Sequence, residues 1–325
     1  MAKLHRILDT NLFNSQVTLF LHKKIVRQIF QILCFILVFT FKVKGQLINN
    51  NLGKAFEEQP FFNAKEIKQK KIKEIRCTYF EKKTGDIMRQ LNKKSIYCFN
   101  EIGYLIHVFE IEGRGKKADT TYFEYKYTPK GLVKLFRKGN KPDFTSILYT
   151  YDMEGHVIKE ELFQDILLNK HLVNAEFKQD SLINYETMRY KSYTHQLKKI
   201  VYNSYGAPYL DHITFTNAEG QIIGIDKKLK MTSEINETKF YYNKQKQVDS
   251  LVKFSSLNPS ETKSTHFVYD AKQNLTSKKS YTNKKLFYST EFLYNNNTGV
   301  LSSSIQHEEA SNIISISRFE TIYFD

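Results

Sequence analysis

Cysteine is nearly absent from this chain, with three in 325 residues. Only Cys77 and Cys98 lie beyond the N-terminal region, too few for a disulfide-framed miniprotein. Glycine (13) and proline (5) are also scarce, whereas tyrosine (21) and phenylalanine (25) abound. That bias favours strands, where large rings pack well on a pleated surface. A hydrophobic fraction of 41% argues against wholesale disorder. Catalytic signatures are missing too: the chain has no H-E-x-x-H pair, G-x-S-x-G elbow, P-loop or dinucleotide fingerprint, and GRGKK at Gly113 lacks the framing of one. The histidines at 107, 156, 171, 195, 212, 266 and 307 show no paired metal-ligand spacing, so neither metal nor cofactor is expected. Adjacent Glu160 and Glu161, like Glu308 and Glu309, would point to opposite faces of a strand and form no shared acid–base site.

What the N-terminus does contain is an address. Lys23, Lys24 and Arg27 precede an apolar run of 13 residues, Ile29 to Phe41, followed by KVKGQ. A basic region, a short apolar core and a small residue describe a secretory signal peptide. A permanent membrane helix needs roughly 20 apolar residues, so no lasting span is expected after cleavage. The expected cut follows Gly45, leaving residues 46–325 with Gln46 first. Cys34 then belongs to the signal. Residues 1–45 carry +6 of the formal +15, leaving +9 on the mature chain. Its lysines are scattered, which suits solvated strand faces and edge protection. An exported basic protein meets anionic polysaccharide or another envelope protein rather than nucleic acid.

From about Ser95 a pattern returns. It is fullest in YTYDMEGHVI, Tyr149 to Ile158. Taking Gly155 as position zero, equivalent positions are Gly103, Gly131, Gly220, Lys246, Gln273 and Thr298, the last with Gly299 closing. Three before zero stand Asn100, Thr128, Asp152, Asn217, Asn243, Asp270 and Asn295. Such a residue opens a type I turn by bonding its own downstream backbone, and a left-handed residue at zero closes it with a bulge. In that loop the residue four before zero faces the residue two after. Phe99, Tyr127, Tyr151, Thr216, Tyr242, Tyr269 and Tyr294 would therefore face Leu105, Val133, Val157, Ile222, Val248, Leu275 and Val300. Six before zero, Tyr97, Tyr125, Tyr149, Phe240, Phe267 and Phe292 make a second aromatic column. Spacings of 24 to 28 residues, with two strands per unit, predict a repeating antiparallel sheet. Between Gly155 and Gly220, NYETMRYKSYTHQLKKIVYNS reads as a hairpin with a different turn.

The organisation expected is thus a signal peptide (1–45), a segment with one short helix (46–76) and a β-hairpin repeat domain (77–325). Asn63 would cap the helix, with Ile67, Ile72 and Ile75 as its apolar side. A first hairpin turn falls at KKTGD, and ISISRFETIYFD reads as a closing strand. Cys77 and Cys98 would occupy the first and third strands, where pairing is open either way. The fold class is mainly β, an extended sheet of hairpins that is open, twisted or solenoid-like.

The Tyr151-Asp152 pair with Gly155 resembles the YD repeats of RHS and wall-associated proteins, and the copies after Phe240 are also similar to MORN-like antitoxin repeats. The resemblance covers about two-thirds of the chain and implies a β shell that wraps or displays something. It transfers no catalytic residues, because the shared positions build turns and packing. The reading is an exported, non-catalytic β-repeat protein of the envelope, in the periplasm, at the outer-membrane surface or outside the cell, presenting a surface for binding or structural interaction. The alternatives are an exported glycan-active enzyme, which would need carboxylates clustered on a concave face, and an outer-membrane β-barrel.

Overall fold

Each repeat turn sets the register of the strands it joins, and those registers together decide the architecture. The computed structural model describes residues 46–325 except 170 and 173. The expected signal peptide and its cut lie outside the described residues. One helix, α1 (Ala64–Gln69), precedes the strands. The first nine are β1 (Ile72–Lys83), β2 (Arg89–Phe99), β3 (Leu105–Glu112), β4 (Asp119–Tyr127), β5 (Val133–Asn140), β6 (Asp143–Tyr151), β7 (Val157–Leu167), β8 (Phe177–Tyr193) and β9 (Gln196–Tyr202). The remaining nine are β10 (Pro208–Thr216), β11 (Ile222–Leu229), β12 (Ile235–Tyr242), β13 (Val248–Ser255), β14 (Thr262–Tyr269), β15 (Leu275–Thr282), β16 (Lys285–Tyr294), β17 (Leu301–Glu308) and β18 (Ile313–Tyr323).

Every strand pairs antiparallel with its neighbours in sequence, and β18 returns to β1, from Ile72 opposite Tyr323 to Lys83 opposite Ile313. The sheet is a closed 18-stranded barrel. The open, twisted or solenoid-like sheet expected from the repeat is overturned by that β1–β18 seam. The physical reason is the edge. An open sheet of this width would expose two unpaired strands and coil with its twist. Here β1 bonds β2 on one side and β18 on the other, so no edge remains.

The pairing within hairpins follows the repeat. Phe99 lies opposite Leu105, Tyr127 opposite Val133, Tyr151 opposite Val157, Tyr242 opposite Val248 and Tyr269 opposite Leu275, each beside a bulge. In the final copy Tyr294 meets Leu301 rather than Val300, because that turn holds one residue more. A further role of the tyrosines was not read from sequence. Each donates its phenol O–H to a backbone carbonyl one hairpin earlier: Tyr127 to Leu105, Tyr151 to Val133, Tyr242 to Ile222, Tyr269 to Val248 and Tyr294 to Leu275, at 2.6–2.9 Å. Tyr190 does the same to Val157 within the irregular stretch. These bonds tie successive repeats together, which phenylalanine could not do.

The barrel is filled from one end by its own N-terminal segment. Leu47, Ile48, Phe61, Phe62 and Ile67 are buried against inward residues of distant strands, among them Tyr97, Phe99, Leu251, Phe267 and Phe292. Ile48 bridges Phe62, so the segment folds back on itself before Asn63 caps α1 by accepting from the Lys65 N–H. The helix is shorter than its apolar spacing suggested. Lys71 adopts a left-handed φ of 51°, and Ile72 and Ile75 continue as inward residues of β1. The cysteines differ as well. They lie on adjacent strands, β1 and β2, but Cys77 pairs with Ser95 and faces inward while Cys98 points outward, and both are free.

Candidate ligand chamber

Alternation sends every second side chain of a strand inward. Where the N-terminal segment does not reach, the inward residues surround a chamber of about 920 Å³. Its floor is the strap Phe56–Phe61, and its wall runs from β15 through β18 and β1 to β6. Aromatic rings dominate: Tyr79, Tyr97, Phe123, Tyr125, Phe136 and Phe292 are among them. Three belong to the column six before each turn, which packs inward (Tyr97, Tyr125, Phe292). Phe56 completes the floor, stacked on Phe292 at 4.8 Å between centroids with the planes 12° apart. It holds a left-handed φ of 65°, an uncommon conformation for an aromatic residue.

Polar side chains share the wall with the rings, among them Glu110, Lys138, Lys278, Thr290, Gln306 and Ser317. Tyr79 Oη and Ser95 Oγ share a hydrogen bond of 2.9 Å. Burial pushes the Tyr79, Tyr97 and Tyr125 phenols well above their ordinary range; Cys77 adds to the rise at Tyr79, and the Ser95 hydrogen bond opposes it. Burial also pushes the Cys77 thiol up to about 11, so it stays protonated at neutral pH and is a poor nucleophile. At the floor Lys278 pairs with Glu57 at 2.5 Å, and Glu58 is held by Lys54 at 2.8 Å.

The opposite part of the inner face is more polar. Glu160 and Glu186 stand directly across from one another on β7 and β8, and Tyr209 donates to Glu186 Oε1 at 2.6 Å. Burial raises the Glu160 pKa, Lys199 opposes that rise and Glu186 adds to it. These are the clustered carboxylates an enzyme would need, but they do not line the chamber; Tyr149, which does, is the residue paired with Glu160. Further round, Lys199, His212 and Lys227 form one cross-strand row. His212 Nε2 is buried without a hydrogen-bond partner. Burial, then Lys199, Lys227 and Lys54, lower its pKa to about 4. Between that value and the unfolded value near 6.5 the unfolded chain binds a proton that the folded one refuses. Stability should therefore fall as pH drops through this window, by at most about 1 kcal/mol per pH unit once solvent screening is included. Melting curves of His212→Gln against pH should be flatter there than those of the parent; parallel curves would place the acid lability elsewhere.

The turn residues singled out from sequence line the rim. Gly103, Gly131, Gly155, Gly220 and Gly299 have φ between 65° and 89°, and Lys246 and Gln273 share that conformation at 63° and 67°. Asn100 accepts from the Tyr104 N–H, and Asp152 from the N–H groups of Glu154 and His156. Asn217, Asn243 and Asp270 accept from the N–H four residues on, and Asn295 from those of Asn297 and Thr298. Asp152, Glu154 and His156 approach with metal-ligand spacing, His156 Nδ1 lying 3.1 Å from Asp152 and 3.4 Å from Glu154. Yet Gln221 clasps Asn217, Gln247 clasps Asn243 and Asn274 clasps Asp270 in the same way, so His156 is that turn's version of a repeated clasp.

No family model matches the chain, and neither does any curated protein. Among solved structures, a porin-like protein from Bacteroides uniformis is similar over 77% of this chain and 98% of its own, at 9% identity and a TM-score of 0.38. One from Bacteroides vulgatus covers 76% and 97% at 8% identity and 0.31. A LolA superfamily protein from Nitrosomonas europaea covers 79% and 91% at 8% identity and 0.22. Scores this low carry no argument about function.

Proposed function

We propose that this chain is an exported β-barrel of the cell envelope that encloses an apolar or amphipathic small molecule. One observation carries the reading: an aromatic-walled chamber of about 920 Å³ inside a closed barrel. That volume lies near the top of the roughly 300–1,000 Å³ range of small-molecule sites, which are mostly apolar with a few placed polar groups. A barrel whose only task was structural would gain stability by filling the space.

An outer-membrane barrel is the second reading, favoured by the closed ring of antiparallel strands in sequence order. It requires an outward apolar band about 25 Å tall. The registers instead turn Arg76, Glu237, Lys239, Lys279 and Glu291 outward. That distribution supports a barrel surrounded by water. Heat-modifiable gel mobility and co-fractionation with outer membranes would put the second reading first.

Ser304→Trp tests the chamber. Ser304 faces inward between Phe292 and Ser317, and an indole there would occupy the space without removing a packed side chain. The parent protein should bind an apolar fluorescent dye, and the variant should bind it at least about tenfold more weakly with its fold retained. Equal dye binding by both folded proteins would overturn the reading.

A further inference from the structure

The charges on the chamber wall point to the headgroup of its guest, an inference that rests on the chamber reading above. Among the described residues, Lys278, Glu57 and Glu58 are already satisfied by ion pairs. Two charged lining residues are not. Lys138 has no carboxylate within 4.0 Å; its ammonium lies 5.3 Å from the Phe123 ring centroid and its side chain is exposed. Glu110, half-buried, has no cation within the same distance. Their places follow from the register. Glu110 on β3 pairs with Thr121 on β4, and Lys138 on β5 pairs with Phe123, two residues further along β4. Two strand spacings separate them, about 10 Å across the sheet, close enough for flexible side chains to meet one small group from two sides. Below them buried Val108 and Phe292 lead toward the strap.

We propose that the chamber takes a single-chain amphiphile with a zwitterionic headgroup, its anionic group at Lys138, its ammonium at Glu110 and its hydrocarbon chain among the rings toward Phe56. A purely anionic headgroup would satisfy Lys138 but meet Glu110 unfavourably, and a neutral one would leave both charges unpaired. Each of the two charges meets an opposite partner only with the zwitterion. The Tyr97 and Tyr125 phenols, raised first by burial and also by Glu110, remain protonated and can donate to the headgroup.

The test compares lysophosphatidylethanolamine, lysophosphatidylglycerol, palmitate and monopalmitin, below their micellar concentrations, as competitors of the apolar dye on the mature protein. Lysophosphatidylethanolamine should bind about tenfold or more tightly than the other three. Lys138→Met should remove that preference, Lys138→Arg should keep it, and Glu110→Gln should bring lysophosphatidylglycerol level with the zwitterion. Each variant is first checked for an unchanged thermal midpoint. Equal binding of all four amphiphiles, or folded Lys138→Met and Glu110→Gln variants that keep the parental ranking, would overturn the headgroup assignment and leave the chamber standing. Failure of every amphiphile to displace a dye that Ser304→Trp excludes would also overturn the headgroup assignment and leave the chamber standing.

Discussion

Gly103→Ala is expected to lower stability by about 2–5 kcal/mol, well beyond the effect of the same change at the repeat turn of Gly220. Two costs combine. The residue holds a φ of 89°, where an L side chain loses about 1–2 kcal/mol. A Cβ there would also lie 2.0 Å from the Ala64 carbonyl oxygen and 2.9 Å from the Lys68 nitrogen, both in the backbone of α1. Backbone cannot swing aside as a lysine tip can, so the N-terminal segment itself must shift. Gly220→Ala is the control. It shares the turn and has a φ of 79°, but no atom stands within 4 Å of its added Cβ, so only the conformational cost of about 1–2 kcal/mol applies. Urea unfolding of the two variants separates the terms. Equal losses would mean that the β2–β3 turn does not bear on the helix.

That contrast marks how far the sequence could be read. Gly103 and Gly220 are indistinguishable in the repeat, because the repeat encodes the turn and the pairing beside it. Phe99 opposite Leu105 and Tyr269 opposite Leu275 were legible for that reason: a three-residue loop allows one register. The mainly β class followed from the same even spacing of aromatics. Closure was not legible. It depends on β1 meeting β18, a contact between the ends of the domain that no local spacing records. The chamber was invisible in consequence. Tyr79, Phe136, Lys138 and Phe292 lie on three strands, β1, β5 and β16, that share a cavity only once the ring is shut. A partial signal existed, since an aromatic column six before each turn must face something, and in the barrel it faces inward. Tyrosine rather than phenylalanine four before the turn was a second signal, explained by the carbonyl each phenol reaches on the preceding hairpin.

Arg137→Met should cost about 3–5 kcal/mol at neutral pH, the usual penalty for stranding a buried charge. Arg137 points away from the chamber yet is 3% exposed. Its Nε lies 2.7 Å from Asp165 Oδ2, its other contact is the Glu124 carboxylate, and its guanidinium sits 4.1 Å over the Phe177 ring. The register explains the gathering: Glu124 faces Arg137 across β4 and β5, and Phe144 faces Asp165 across β6 and β7. Two bulges in the β7–β8 pair then bend that hairpin, and Phe177 at its far end rests on Tyr122 and Phe144. Removing Arg137 strands the Asp165 carboxylate, whose Oδ1 already lacks a partner, and leaves Glu124 only the more exposed Lys126 at 3.5 Å. Neutralising all three should do less harm than removing one. Arg137→Met combined with Glu124→Gln and Asp165→Asn is expected to recover more than half of the loss, because the desolvation cost leaves with the charges. Dye binding gives the independent readout. The cluster lies on the outer face, so the triple variant should load its chamber like the parent protein. A single Arg137→Met variant as stable as the parent would mean that water reaches these carboxylates and that Phe177 does not cover them.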